Sequence, residues 1–283
     1  MSKAGQRVKG SKARARSSRR KTKPSPPRPF LPEGWGALHL RLTLFFNGVL
    51  QPTAELWKEL FGDNLQQVNL LPTYTAIGIS EDAVVALSVG PGRLDIVANP
   101  VGTVVDGDEP VPVIDVLSSP ALVAKRMLLA AETLSARVPG GLTRAAAGGH
   151  FRLVVGSRAE GYSLLPKYVP FISPFDAAAY QEFNLQINSI RSLPKQAVGQ
   201  PLTLNRITRW SVMVANTLAL QFNVAKGEQS PKAPKSAHAL RVELDINTQA
   251  SAGQVVNGVA PKRLLEALIG EFAVLLASGL RPT

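Results

Sequence analysis

The chain has 283 residues, of which 45% are apolar and 18% are charged, and its formal net charge is +12 at pH 7. This composition is typical of a globular protein, and the length allows one large core or two smaller ones. The absence of cysteine excludes disulfides, thiol nucleophiles and zinc sites built on thiolates. No long apolar stretch and no secretory signal are evident, so we expect a cytoplasmic protein without a membrane partner.

The basic charge is concentrated at the N-terminus. Residues 1–32 hold eleven cations and no acid, whereas residues 33–283 hold 21 cations and 20 acids. Residues 2–29 have too few apolar side chains to offset the backbone entropy that ordering would cost. We therefore expect residues 1–32 to form a disordered, basic, proline-rich arm. Its cations expected to bind phosphates include Arg14, Arg16, Arg19, Arg20, Lys21 and Lys23.

The first part of the body alternates strands with two helices. Alternating apolar residues predict a strand over 37–46, and Pro52 is placed to begin a short helix that runs to about Phe61. An amphipathic helix is predicted over 120–138, because Ser119 and Pro120 form an N-cap followed by proline. Further strands are predicted over 65–71, 73–79, 83–89, 93–98 and 111–117.

The second part repeats this order of elements. A strand around His150, a short helix from Pro174 toward Glu182 and a long amphipathic helix from Pro261 to Gly279 are predicted. The strands predicted between these helices cover residues 184–188, 202–209, 210–222 and 238–246.

These patterns predict an α+β fold with two similar halves, residues 33–145 and 146–283, related by an internal duplication or alike by chance. Each half is expected to be an antiparallel sheet with a short helix and a long amphipathic helix packed on one face.

The distribution of charge in the body favours the second half as a surface for a polyanion. Residues 33–150 carry a net charge of −5, whereas residues 151–283 carry +6. Arg206 and Trp210 share one face of a predicted strand, so a guanidinium and an indole could together hold a phosphate and stack on a base. Arg191 and Arg209 lie in the same acid-free segment. The alternative is that Trp210 packs in the core while the arginines point outward.

No pattern in the chain predicts a reaction. The acids Asp106, Asp108, Glu109 and Asp115 are interpreted as a solvated loop rather than a metal site, because prolines extend the chain beside them. Two pairs occupy matching positions in the two halves, and we expect structural roles for both: Asp115 with Asp245, and His39 with His150. We therefore predict no catalytic residue, no metal and no cofactor.

The sequence favours a non-catalytic protein that associates nonspecifically with DNA or RNA. The basic arm and the basic second half, through Arg191, Arg206, Arg209 and Trp210, are the predicted contacts. One alternative is a self-assembling, coat-like or scaffold subunit, which would form a homo-oligomer. Another is an enzyme or small-ligand binder with a cavity between a helix and its sheet.

Overall fold

A computed structural model describes most of the body of the protein. The described residues are 30–53, 55–70, 73–102, 114–138, 140–172, 182–193, 201–217, 220–223, 228–231, 235–249 and 261–280. The six arm cations, the predicted helix from Pro174 and the acids Asp106, Asp108 and Glu109 therefore lie outside the described residues.

Eleven strands and four helices are formed by the described residues. The strands are β1 (Trp35–Phe46), β2 (Leu65–Asn69), β3 (Tyr74–Ser80), β4 (Ala83–Gly90), β5 (Arg93–Pro100), β6 (Leu142–Val155), β7 (Asn184–Leu193), β8 (Leu202–Thr217), β9 (Leu220–Asn223), β10 (Glu228–Pro231) and β11 (Lys235–Thr248). The helices are α1 (Leu56–Phe61), α2 (Pro120–Ser135), α3 (Arg158–Tyr168) and α4 (Pro261–Ser278).

Nine of these strands form a single antiparallel sheet in the order β2-β3-β4-β5-β1-β6-β11-β8-β7. Within the described part of the chain, β9 and β10 form a separate two-stranded sheet. β1 is the middle strand and pairs with β5 on one side and β6 on the other. Strands that are far apart in the chain therefore become neighbours at the centre of the sheet.

All four helices pack on one face of the sheet, which we call the helix face. α2 lies against β1 and β5, α4 against β6 and β11, and α3 against β8 and β11. α1 reaches β3 through Trp57, since a Cβ added at Gly78 would lie 2.5 Å from the Trp57 ring. The alternate residues of β1 that face the helices, such as Leu42 and Leu44, are buried in one continuous apolar core.

The opposite face of the sheet, which we call the open face, carries no helix among the described residues. Its side chains are mostly half-exposed or exposed, as in β7, where every second residue from Asn184 to Ser192 is exposed. Residues 114–117 run beside one end of β1 and β6: the Leu117 amide donates to the Ala37 carbonyl at 2.8 Å, and Arg152 Nε donates to the Ile114 carbonyl at 3.1 Å.

The predicted architecture of two separate α+β halves is wrong. β1 pairs with β6 from Trp35 to Phe46, so the strands predicted to begin two separate sheets are hydrogen-bonded into one sheet. The predicted boundary between residues 145 and 146 lies inside β6. The two longest helices, α2 and α4, pack against each other on the same sheet face rather than each covering its own sheet.

Individual elements agree better with the sequence pattern than the architecture does. The predicted strands at 37–46, 73–79, 83–89 and 93–98 correspond to β1, β3, β4 and β5, whereas residues 202–217 form one long strand instead of two. α3 was not predicted, because its low amphipathicity and internal Pro166 obscure it. Residues 114–117 are not a strand.

No helix in the described part of the chain is long and apolar enough to cross a membrane.

Candidate functional site

Trp210, the aromatic residue of the predicted site, lies in the core. It is on the helix face of β8, opposite Val242 of β11 and Leu185 of β7, and it is 0% exposed. Its ring stacks on Tyr168 at a centroid distance of 5.3 Å and meets Trp35 edge-on at 6.5 Å. The indole therefore has no surface left on which a base could stack.

Arg191 and Arg206 also lie on the helix face, where both bind Glu271 of α4. Arg191 Nη1 is 2.8 Å and Arg206 Nη1 is 3.4 Å from Glu271 Oε2. The glutamate side chain is only 5% exposed, so the two guanidinium groups compensate a buried carboxylate. This cluster joins α4 to the second half of the sheet and leaves neither arginine free for a phosphate.

Arg209 points to the open face, opposite to Arg206, because the two are an odd number of positions apart on the same strand. Its Nε donates to Gln186 Oε1 at 2.7 Å, and its Nη1 forms an ion pair with Glu243. The four body residues of the predicted site are therefore divided between the two faces of the sheet.

Six arginines project from five neighbouring strands onto the open face, which is the candidate functional site. They come from β5, β1, β6, β11 and β8, which are adjacent in the sheet. These open-face arginines are Arg93, Arg41, Arg144, Arg152, Arg241 and Arg209. Three acids, Asp95, Glu243 and Asp245, share the face with them, and Lys235 lies at the far end of β11. Cations therefore outnumber acids there.

Small residues make room for an arginine at the centre of this face. Arg41 extends across Gly148 of β6, where an added Cβ would lie 3.2 Å from its Nη2 atom. The same Nη2 forms an ion pair with Asp245 Oδ2 at 3.3 Å. Ala146 is the preceding open-face residue of β6, so the middle of the face has a floor of small side chains.

Phe45 brings an aromatic ring to the same face between two arginines. It is opposite Arg93 of β5 and Arg144 of β6, whose guanidinium carbons lie 5.6 and 5.2 Å from the ring centroid. Arg93 is also paired with Asp95 at 2.6 Å. Arg144 has no carboxylate partner among the described residues, and its buried Nε has no hydrogen-bond acceptor there. The charge of Arg144 is therefore less neutralised than that of Arg93.

His39 and His150 face each other across the central strand pair, with ring centroids 4.9 Å apart. His39 Nδ1 lies 2.9 Å from Asn99 Oδ1, and His150 Nδ1 lies 3.3 Å from Arg241 Nη2. Burial and the neighbouring His39 lower the pKa of His150 to about 4, so this imidazole is neutral at pH 7. No group of three or more metal-ligating side chains occurs within the described residues.

Asp115 and Asp245, the other matched pair, have different surroundings. Asp245 accepts hydrogen bonds from Arg41 and Asn247. Asp115 lies beside Arg152. Burial lowers the pKa of the Arg152 guanidinium, and the negative charge of Asp115 acts against this lowering. Neither contact brings the two carboxylates together for acid–base work.

A polar cavity of about 440 Å³, which we call the amide pocket, opens on the open face where β6, β11, β8 and β7 run side by side. Its lining consists of Arg144, Asn188, Ile190, Asn205, Asn247 and Gln249. Four of these six residues carry a carboxamide, and one carries the Arg144 guanidinium. Such a lining can both donate and accept hydrogen bonds but carries only one charge.

The sequence carries a pattern that marks the open face, although the predicted site did not include it. Polar residues alternate with apolar ones along β1 and β11, as at His39, Arg41 and Thr43 and again at Arg241, Glu243 and Asp245. This alternation defines one polar side for each strand. The alternation does not reveal which strands are neighbours in the sheet. The arginines lie close together only because their strands are adjacent.

No protein-family model, curated protein or solved structure matches this chain. Its function is therefore inferred from the chemistry of the open face and of the arm.

Proposed function

We propose that this protein binds nucleic acid, with the open face against the phosphate backbone and the basic arm adding further charge. The observation that carries the proposal is the convergence of six arginines from five adjacent strands on a sheet face that none of the described helices covers. Arginine binds phosphate through a planar, bidentate fork, and each neutralised phosphate releases a counterion.

The open-face arginines cover an area large enough to contact several phosphates. Five strands spaced about 4.8 Å apart place the outermost arginines about 19 Å apart across the sheet. Along β6, Arg144 and Arg152 are eight residues apart, which corresponds to about 27 Å. A duplex carries one charge per about 1.7 Å of its axis, so it offers many phosphates within this span.

The arginines differ in how much of their charge is available. Arg41, Arg93 and Arg209 already bind Asp245, Asp95 and Glu243, so a phosphate has to compete with these carboxylates. Arg144 and Arg241 make no ion pair with a carboxylate among the described residues. These two are the cations that we expect a phosphate to bind most strongly.

The arm extends this basic surface. Phe30, near the end of the arm, packs against the core and lies beside Ala121 and Leu128 of α2, so the residues that precede it are attached on the helix side of the body. Twenty-nine residues can span at most about 100 Å, which is enough to reach ligand bound at the open face. Its eleven cations thus raise the local positive charge without requiring a fixed structure.

The test compares charge removal on the arm, on the open face and on the helix layer of the full chain. The arm variant replaces Arg14, Arg16, Arg19, Arg20, Lys21 and Lys23 by Gln. The open-face variant is Arg144→Gln/Arg152→Gln/Arg241→Gln. The control, on α2 and α4, is Lys125→Gln/Arg126→Gln/Arg263→Gln.

Fluorescence anisotropy with labelled single-stranded and duplex DNA and with RNA, at about 50 to 200 mM salt, gives the affinities and their salt dependence. We expect the open-face variant to bind single strands about tenfold or more weakly, with a salt slope smaller by about 2. The helix-layer control loses the same formal charge and should change little. Equal binding by these two variants would contradict the assignment of the face, and no binding by the wild-type chain at low salt would refute the proposal.

Self-association is a second candidate, favoured by the position of β7. This ten-residue strand forms one edge of the sheet, and none of the described strands pairs with its outer side. Antiparallel pairing of β7 with β7 of a second copy would continue the sheet. Light scattering over a range of protein concentrations tests this, because a mass that stays monomeric excludes it.

Besides the amide pocket, two described cavities lie beside Phe30: one reaches Trp35 of β1 and the start of α2, and the other lies between α2 and α4. The alternative of an enzyme or small-ligand binder stays a prediction. A cytoplasmic location stays a prediction.

A further inference from the structure

The amide pocket differs from the rest of the open face in chemistry. Elsewhere on this face Arg41, Arg93 and Arg209 are paired with acids. The lining of the amide pocket instead contains four carboxamides, one arginine and one isoleucine. A site for phosphate alone would need cations. Carboxamides instead match ligands that present hydrogen-bond donors and acceptors in one plane.

Two of these carboxamides have unused hydrogen-bonding capacity. Within the described part of the chain, the side chains of Asn188 and Asn205 make no hydrogen bond, and they project from the neighbouring strands β7 and β8. Asn247, by contrast, donates to Asp245 Oδ1 at 3.3 Å and is buried at the floor of the pocket. The pocket thus combines one carboxamide held by an acid, Asn247, with two that have no hydrogen-bond partner among the described residues.

The rim of the pocket supplies the other contacts that a nucleotide needs. Ile190 is 68% exposed and offers an apolar surface for the flat side of a base. Arg144 lines the pocket and also lies over the Phe45 ring, as Arg93 does. Its guanidinium has no carboxylate partner among the described residues. One arginine can therefore bind a phosphate, or stack on a neighbouring base, while the base itself occupies the pocket.

We propose that the amide pocket binds one unstacked base of a single-stranded nucleic acid, with Asn188 and Asn205 contacting the hydrogen-bonding edge of the base and Arg144 contacting its phosphate. This inference rests on the proposed function and names the part of the nucleic acid that is recognised. Asparagine and glutamine form paired hydrogen bonds with base edges, and a volume of about 440 Å³ lies in the range of small-molecule sites.

Single strands are favoured over duplexes by the position of the pocket. It lies within the sheet surface between β6 and β7, rather than on a protruding helix or ribbon that could enter a groove. A paired base presents only its groove edge to a protein, whereas an unpaired base can swing away from its neighbours and enter a pocket.

The experiment separates contacts to the base from contacts to the phosphate. The full chain is titrated into two labelled single strands of about 12 nucleotides, one with bases and one abasic throughout, which carry the same phosphates. Asn188→Leu/Asn205→Leu removes the free amides without changing charge. Asn184→Leu is the matched control, because Asn184 is exposed on the same face of β7 but does not line the pocket.

We expect the wild type and the Asn184→Leu variant to bind the strand with bases about fivefold or more tightly than the abasic strand. In Asn188→Leu/Asn205→Leu this preference should fall to less than about twofold, with the salt slope unchanged. Arg144→Gln should weaken binding of both strands and lower the slope by about 0.7.

Each other outcome has a distinct meaning. If the wild type binds both strands equally, or if the double variant keeps the preference, the pocket does not bind a base, while the proposed function stands. If the wild type binds neither strand at low salt, the proposed function itself fails. Circular dichroism and thermal melting of each variant show whether the comparison is made on folded protein.

Discussion

The two faces of the nine-stranded sheet use the same residue type in different ways. Arg206 and Arg209 lie three residues apart on β8, and each forms an ion pair with a glutamate. Glu271 of α4, the partner of Arg206, is 5% exposed on the helix face, whereas Glu243, the partner of Arg209, is 29% exposed on the open face. Burial of the partner therefore separates a structural arginine from one that a ligand can reach.

The aromatic residues follow the same division. Trp210 is enclosed by Tyr168 and Trp35 on the helix face. Phe45 stands on the open face with arginines as its neighbours. Loss of a helix-face residue should therefore lower the free energy of unfolding, and loss of an open-face residue should change ligand affinity. Four substitutions or conditions can break or sharpen this contrast.

Trp210→Ala should have the largest effect. Removing a fully buried indole leaves a cavity between Tyr168 and Trp35, and we expect the free energy of unfolding to fall by about 3 to 5 kcal/mol. Urea unfolding followed by circular dichroism measures the loss. Nucleic-acid affinity should be unchanged at temperatures where the variant is folded, so a selective loss of binding would place Trp210 in the ligand site after all.

Glu271→Gln should have the next largest effect, because it leaves Arg191 and Arg206 without their carboxylate beneath α4. We expect the free energy of unfolding to fall by about 2 to 3 kcal/mol. The fall is smaller than for a fully buried ion pair because Arg191 is 29% exposed. Glu266→Gln, an exposed position on the same helix, is the matched control. Equal midpoints in urea for the two variants would show that the buried cluster contributes nothing to stability.

His150 should make stability depend on pH. Its pKa is about 4 in the folded protein, lowered by burial and by His39, against an ordinary value of 6.5. The unfolded chain therefore binds the proton more readily, and the contribution of neutral His150 to stability is complete above pH 6.5 and decreases as the pH falls toward 4. Since a third of the side chain is exposed, we expect this contribution to the free energy of unfolding to amount to about 1 to 2 kcal/mol.

The measurement compares wild type with His150→Gln by urea unfolding between about pH 7 and pH 4.5. Other titrating groups affect both chains, so the difference between them isolates His150. An identical pH dependence would show that this imidazole is not held neutral by the fold.

The smallest expected effect compares the two arginines of β8 directly. Arg209→Gln should weaken binding to single strands about threefold and lower the salt slope by about 0.7, because one phosphate contact is lost. Arg206→Gln should leave affinity unchanged and instead lower the free energy of unfolding by about 1 to 2 kcal/mol. Anisotropy and urea unfolding on both variants test this, and equal affinities would remove Arg209 from the ligand surface.

Local patterns allowed much of the secondary structure to be predicted. Alternation of apolar residues located β1, β3, β4 and β5 to within two residues, and the proline at the start of α2 marked that helix correctly. α3 escaped prediction because a polar composition and Pro166 hide its periodicity. The candidate site was harder to predict, because five of its six arginines lie outside the acid-free segment that drew attention to Arg209.

The sequence by itself determined how charge is distributed along the chain and which residues share a side of each strand. It placed Arg206 with Trp210, and it separated both from Arg209, through the two-residue period of a strand. Only the tertiary structure decided which side is covered and which strands are neighbours, because these depend on helices and strands contributed from distant parts of the chain. The pairing of β1 with β6 merged the two predicted halves into one sheet, and it brought arginines from both of them onto a single face.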